Sequence, residues 1–181
     1  MTLPNLGAYV ADGRWSEVED LLLSAAAESL GQVDKSTLLC ELAYYGQESA
    51  TRTLLASGAD VNFRFELDTR SPFAYKLVAY PRSTPLGQTI LGSSYGRFKT
   101  LPVMTDLLSA GANPNAPTYQ GYTPLQLAIV ENRPEHARIL LAQGADPHSK
   151  CEDPLIDEGD AFYFAEQFAE RSSWACELLK K

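Results

Sequence analysis

The stretch LLSAGANPNAPTYQGYTPLQLA, Leu107 to Ala128, decides how this chain is read. An apolar Leu107-Leu108 pair runs into Gly111, the residue type that takes the left-handed backbone closing a helix C-terminus. Asn113-Pro114-Asn115 then supplies turn chemistry, since asparagine side chains bond nearby backbone and proline fixes φ. Thr123-Pro124-Leu125 restarts a helix. Threonine caps it, and proline takes the first helical position, where its missing N–H is no loss.

Working outward, the same phrase recurs. Leu54-Leu55 leads to Gly58-Ala59-Asp60-Val61-Asn62, and Leu140-Leu141 leads to Gly144-Ala145-Asp146-Pro147-His148. Gly111 and Gly144 lie 33 residues apart. Thr37-Leu38-Leu39 and Thr84-Pro85-Leu86 stand upstream as further helix starts, and Thr37 to Gly58 and Thr123 to Gly144 both span 21 residues. Between start and stop, Leu125, Ala128 and Ile129 form one apolar helical stripe, and Ala137, Leu140 and Leu141 form a second over Pro134 to Ala142. One unit therefore reads as helix, short turn, helix and projecting hairpin-like loop. A fixed period of this kind marks a stacked array, in which each unit needs a neighbour to cover its apolar face.

These residues resemble the ankyrin repeat, whose period is about 33 residues and whose helix start carries a Thr-Pro-Leu signature. The resemblance implies an all-α ankyrin-repeat solenoid, residues 1–181 forming one domain. About three motif-bearing repeats fill 36–148, flanked by an N-terminal cap over 1–35 and a C-terminal cap over 149–181. The first cap reads as helices Leu3 to Asp12 and Ser16 to about Ala27, with Ser16 and Glu19 as a capping box. The second reads as Asp160 to Glu170 and Ser172 to Lys180.

One repeat is longer than the others. Gly58 to Gly111 spans 53 residues, 20 above the period, which divides into 14 extra residues in the loop and six between the helices. The insertions fall at about 63–83 and 91–102, both rich in aromatic and basic residues. Loops on one face of an array accept insertions without disturbing the stack, often on the binding face.

Charge and composition exclude several classes. With 45% hydrophobic and 21% charged residues the chain reads as a soluble globular protein. Its net charge of -8 opposes nonspecific binding to nucleic acid or anionic membrane. The N-terminus has no basic leader or apolar span, so a cytoplasmic location is expected. Cys40, Cys151 and Cys176 are odd in number and widely spaced, which argues against disulfides or a zinc site. The middle is locally basic: residues 63–100 carry six bases against two acids, interleaved with aromatics as on a stacking surface. No nucleic-acid motif accompanies them. The run Glu152 to Asp160 has five acids but lacks EF-hand spacing, so it reads as a solvated loop entering a helix N-terminus.

No nucleophile, P-loop or metalloprotease motif is present, and His136 and His148 have no partner residue close in sequence. The chain is therefore expected not to be an enzyme, with no catalytic residue, cofactor or metal. The resemblance implies instead a protein-binding scaffold, monomeric when free, that uses its loop tips and the exposed side of each first helix. Carried onto this sequence, the partner-binding positions are Tyr44, Tyr45, Tyr119, Gln120, Tyr122 and Glu131, joined by Phe73, Tyr75, Tyr80 and Arg82 from the first insertion. Tyrosine gives large contact area at small entropic cost, which suits such a surface. Small size and acidity point further to an inhibitor that blocks its partner, similar to immunity proteins that neutralise a toxin; an adaptor joining two proteins is the alternative. Asn62 also fits a pattern hydroxylated in animal ankyrin repeats, beside the plainer reading that it bonds the loop backbone.

Overall fold

A computed structural model of the chain describes residues 4–24, 30–65, 80–93, 98–152 and 159–180. Among these the regular structure is helical, without strands. The helices fall into five consecutive pairs: α1 (Pro4–Ala11) with α2 (Trp15–Leu23), α3 (Gln32–Tyr45) with α4 (Glu48–Ala56), α5 (Pro85–Gly92) with α6 (Leu101–Ser109), α7 (Pro124–Val130) with α8 (Pro134–Ala142), and α9 (Ala161–Gln167) with α10 (Trp174–Leu178). The first members α3, α5, α7 and α9 pack side by side in one layer, and α2, α4, α6, α8 and α10 in the other.

Two of the three expected threonine starts hold. Thr84 and Thr123 are N-caps with proline next, and their side chains accept from Gly87 N–H and Gln126 N–H. Thr37 is different: α3 begins at Gln32, so Thr37 lies buried inside the helix. The physical reason is the following residue. Proline forces its predecessor into extended backbone, whereas Thr37 precedes Leu38 and the helix runs back to Gly31. That extra turn is held from the neighbouring helix end, with Gln32 Nε2 donating to Gly58 O (2.8 Å) and Lys35 Nζ to Ser57 O (2.9 Å). The expected Ser16/Glu19 capping box is also absent. Arg14 is the N-cap of α2 and makes no side-chain cap bond, while the Glu19 carboxylate accepts from the Ser49 hydroxyl on α4.

The helix stops behave as their residue types require. Gly58, Gly111 and Gly144 have φ of 85°, 93° and 85°, and the N–H of the alanine after each donates back to Leu54, Leu107 and Leu140 O at 3.1, 3.0 and 2.9 Å. Those leucines are wholly buried. Beyond each glycine an Asx turn follows: Asp60, Asn113 and Asp146 Oδ1 each accept the N–H two residues on at 2.9 Å. Neighbouring turns are stitched together by asparagine. Asn62 Nδ2 donates to Gly111 O (3.2 Å) and its Oδ1 accepts from Asn113 N–H (2.8 Å); Asn115 does the same to Gly144 O (3.2 Å) and Asp146 N–H (2.7 Å). Asn62 thus bonds the loop backbone, as its plainer reading supposed.

One core cluster runs from Leu6 in the first pair to Ala175 in the last, so every pair is covered by its neighbour. At its C-terminal end Tyr122 is 8% exposed, its ring edge-on to Phe164 at 5.2 Å. Asp160 caps α9 by accepting from Tyr163 N–H at 3.1 Å.

Candidate protein-binding face

Three loops project at equivalent places, five residues past each Asx turn. In the regular loop, Thr118 N–H donates to Tyr122 O (2.8 Å) and Gly121 N–H to Thr118 O (2.9 Å), enclosing one turn of 3-10 helix, Tyr119–Gly121. One repeat earlier, Phe65 N–H donates to Ser83 O (2.9 Å) and Arg82 N–H to Phe65 O (2.6 Å). One repeat later, Cys151 N–H donates to Gly159 O (3.3 Å). The first insertion therefore enters at a loop tip. Its base is anchored in the core: Phe65 is buried against Cys40, and the Ser83 and Thr118 hydroxyls, both buried, lie 2.6 Å apart.

The first helices hold these loops through buried glutamines. Gln88 Nε2 donates to Tyr80 O (2.8 Å) while its Oε1 accepts from Tyr80 N–H (3.3 Å). Gln126 Nε2 donates to Ser149 O (2.8 Å) and Gly159 O (3.0 Å), and its Oε1 accepts from Thr123 N–H (2.8 Å).

A continuous line of half-buried aromatic rings results. Trp15 packs on Tyr45 (4.7 Å between centroids), Tyr45 on Phe98 (5.1 Å) and Tyr44 (5.2 Å), Tyr44 on Tyr80 (6.1 Å), and Tyr80 on Tyr119 (4.9 Å). It crosses the first four helix pairs. Burial, followed by the nearby Glu41 carboxylate, pushes the Tyr45 phenol up to about 12, so it stays a hydrogen-bond donor at physiological pH. Arg82 and Gln120 sit exposed beside the line with φ of 58° and 56°, and Glu131 is half-buried at the end of α7.

The structure thus brings together Tyr44, Tyr45, Tyr80 and Tyr119 from the sequence-derived set and sets Tyr122 apart. Tyr122 is a core side chain rather than a loop-tip contact, because the chain reverses at Gly121 (φ 77°) and turns the ring toward Phe164. Phe73 and Tyr75 lie outside the described residues. Trp15 and Phe98 were missed as face residues, since neither shares the repeat position that marks the tyrosines.

The two histidines have structural surroundings. His136 is buried, and its Nε2 lies 3.0 Å from Thr100 Oγ1, which donates its own proton to Thr89 O at 2.7 Å. The hydroxyl has one proton, so His136 must supply the N–H. Burial chiefly, then the Arg133 charge, lowers its pKa to about 4 and keeps it neutral. His148 does have a carboxylate neighbour that spacing did not reveal: Nδ1 lies 3.3 Å from Asp160 Oδ2, and the ring stacks on Phe162 at 5.1 Å. No hydroxyl or thiol joins that pair among the described residues. Nor does any group of three His, Cys, Asp or Glu there have metal-binding geometry, and no described helix is long and apolar enough to cross a membrane. Cys40, Cys151 and Cys176 are free thiols, and burial raises the Cys40 pKa well above its usual value.

Paired helices stacked in two layers, with loops projecting from one end, define a helical repeat solenoid. The profile of the ankyrin repeat matches residues 120–152. The chain is 35% identical over 94 residues to the mouse transient receptor potential cation channel subfamily V member 4, covering 46% of this chain and 11% of that one. It is 30% identical over 109 residues to the chicken nuclear factor NF-kappa-B p105 subunit, covering 60% of this chain and 9% of that one. The chain thus spans about a tenth of the length of these curated relatives. Residues 120–152 are thus an ankyrin repeat, set within a stack of helix pairs that share its glycine stop and loop.

Proposed function

We propose that the chain binds a partner protein through the aromatic line from Trp15 to Tyr119, with Arg82 and Gln120 at its edge. The observation that carries this reading is the line itself. Rings from four helix pairs meet on one face, half-buried rather than folded into the core, and rigid aromatics that expose part of their surface are the residue type that anchors protein interfaces. Glu131 extends the same proposed face; Phe73 and Tyr75, proposed with it from the sequence, lie outside the described residues. Ankyrin repeats generally serve such binding and not catalysis.

The finer reading is an inhibitor that occupies and blocks its partner's working surface, with immunity to a toxin as one form of it. Three free thiols suit the reducing cytoplasm as its location. Binding by one continuous face favours blocking over bridging, since an adaptor needs a second independent patch.

The test is to identify the partner by affinity capture from the native cell, purify it, and titrate it calorimetrically with wild-type protein and with a Tyr45→Ser/Tyr119→Ser/Arg82→Ser variant shown by circular dichroism to be folded. Weakening by several kcal/mol is expected, together with loss of the partner's own activity in the wild-type complex. Unchanged affinity removes this face from consideration. Ternary complexes in analytical ultracentrifugation replace the inhibitor with the adaptor.

A further inference from the structure

Two loops of the face share one backbone and differ in a decisive residue type. In the regular loop Gly121 donates its N–H to Thr118 O (2.9 Å) and has φ 77°; in the loop that carries the first insertion Arg82 donates its N–H to Phe65 O (2.6 Å) and has φ 58°. Each loop is closed by a matching bond, Thr118 N–H to Tyr122 O (2.8 Å) and Phe65 N–H to Ser83 O (2.9 Å), so Arg82 occupies the glycine position. That backbone is left-handed, which glycine adopts freely and a residue with a Cβ adopts only at a cost.

Nothing inside the molecule offsets that cost. Arg82 is exposed, and only its backbone is engaged, the N–H by Phe65 and the carbonyl by Arg64 Nε at 3.3 Å. Its guanidinium makes no ion pair or hydrogen bond among the described residues. Arg64 differs in this respect, its Nη1 lying 3.7 Å from the Glu152 carboxylate. A residue held in strained backbone that the fold does not use points to work done by its side chain. Gln120 repeats the pattern on the neighbouring tip, exposed and with φ 56°. The two tips are joined at their bases by the 2.6 Å contact between the Ser83 and Thr118 hydroxyls, and beside them the Tyr80 and Tyr119 rings meet at 4.9 Å.

We propose that Arg82 is the specificity-determining residue of this face, pairing with a single Asp or Glu carboxylate on an otherwise apolar segment of the partner protein. The proposal rests on the protein-binding reading above. Charge complementarity selects the occupant: one planar guanidinium matches one carboxylate in a two-point bond, with the Gln120 amide beside it as a further donor. The half-buried rings of Tyr80 and Tyr119 take the apolar side chains that flank the carboxylate. Phosphate groups are recognised by clusters of arginines, and a polyanion is opposed by the net charge of -8. That repulsion is screened over about 8 Å at physiological salt, so it does not prevent one carboxylate from meeting Arg82 at contact.

The probe is the capped tetrapeptide acetyl-Leu-Glu-Trp-Leu-amide, titrated into ¹⁵N-labelled protein, with the same peptide carrying Gln, Lys or phosphoserine in place of Glu as comparisons. Expected are saturable shifts at the Arg82 Nε–H and at the amides of Arg82 and Gln120, and about ten-fold tighter binding of the Glu than of the Gln peptide. In Arg82→Gly that preference is expected to vanish. The same variant is expected to raise the urea midpoint, because the left-handed strain goes with the side chain. A lowered midpoint makes Arg82 a structural support and overturns the proposal. No saturable shift, equal binding of the Glu and Gln peptides, or preferential binding of the Lys or phosphoserine peptide overturns it too. With the purified partner, unchanged affinity in Arg82→Gly beside loss in the Tyr45/Tyr119/Arg82 variant sinks the carboxylate pair and leaves the face standing. Unchanged affinity in both variants sinks the underlying face instead.

Discussion

At the scale of single residues, two glycines separate conformational need from steric need. Gly111 has φ 93° and open space where a Cβ would stand, so Gly111→Ala is expected to cost about 1 kcal/mol in urea denaturation, the penalty of a left-handed backbone alone. Gly92 is the contrary case: a Cβ there would come within 1.8 Å of the Tyr44 carbonyl oxygen. Gly92→Ala must push α5 off α3, and a loss above about 3 kcal/mol is expected. His136 gives a pH signature. Its folded pKa of about 4 lies below its unfolded value, so the unfolded chain binds a proton first as pH falls, and stability drops between about pH 6.5 and 4. Between pH 7 and 5 this amounts to about 2 kcal/mol. A His136→Gln variant should lack that part of the slope when chemical denaturation curves at the two pH values are compared.

At the scale of elements, the first helices serve as clamps for the loops. Gln126 satisfies three backbone groups at once, the N–H of Thr123 and the carbonyls of Ser149 and Gly159. Gln126→Ala leaves these buried or half-buried groups without that partner, and a loss of about 2–3 kcal/mol is expected by thermal or urea melting. Gln88 grips Tyr80 in the same manner one repeat earlier. The glutamines themselves sit where sequence spacing puts a helix, but, apart from the local bond of Gln126 to Thr123, their bonds run eight to 33 residues along the chain. Helix starts were legible where proline follows threonine and illegible at Thr37, where no local rule halts the helix. The α2 start was misread for a related reason: Ser16 and Glu19 have capping-box spacing, yet Glu19 is drawn instead to Ser49 on the next pair.

For the whole molecule, the continuous core makes each pair dependent on the next. Deleting 149–181 uncovers Tyr122, which rests on Phe164, and removes Ser172, whose hydroxyl donates to Ile129 O at 2.7 Å. The truncated chain is expected to melt at lower temperature and to bind a hydrophobic dye, measured by scanning calorimetry and fluorescence. Exposed ion pairs add little by comparison. Arg52, between Glu48 and Asp106, is 60% exposed, and pairs of that kind contribute about 0–1 kcal/mol.

What the sequence by itself determined is the repeat: the period, the glycine stops, the Asx turns and two of three threonine starts. Each depends on the backbone preference of a residue and its immediate neighbours, which the chain carries wherever it goes. What only the tertiary structure decided is which aromatic side chains face outward. Tyr119 and Tyr122 stand three apart in one short loop, yet Tyr119 joins the aromatic line on Tyr80 and Tyr122 enters the core on Phe164. Spacing cannot separate them, because the direction of each ring is set by the reversal at Gly121 and by partners from different helix pairs. The meeting of Trp15, Tyr45 and Phe98 has the same origin: residues far apart in the chain become neighbours only once the pairs are stacked.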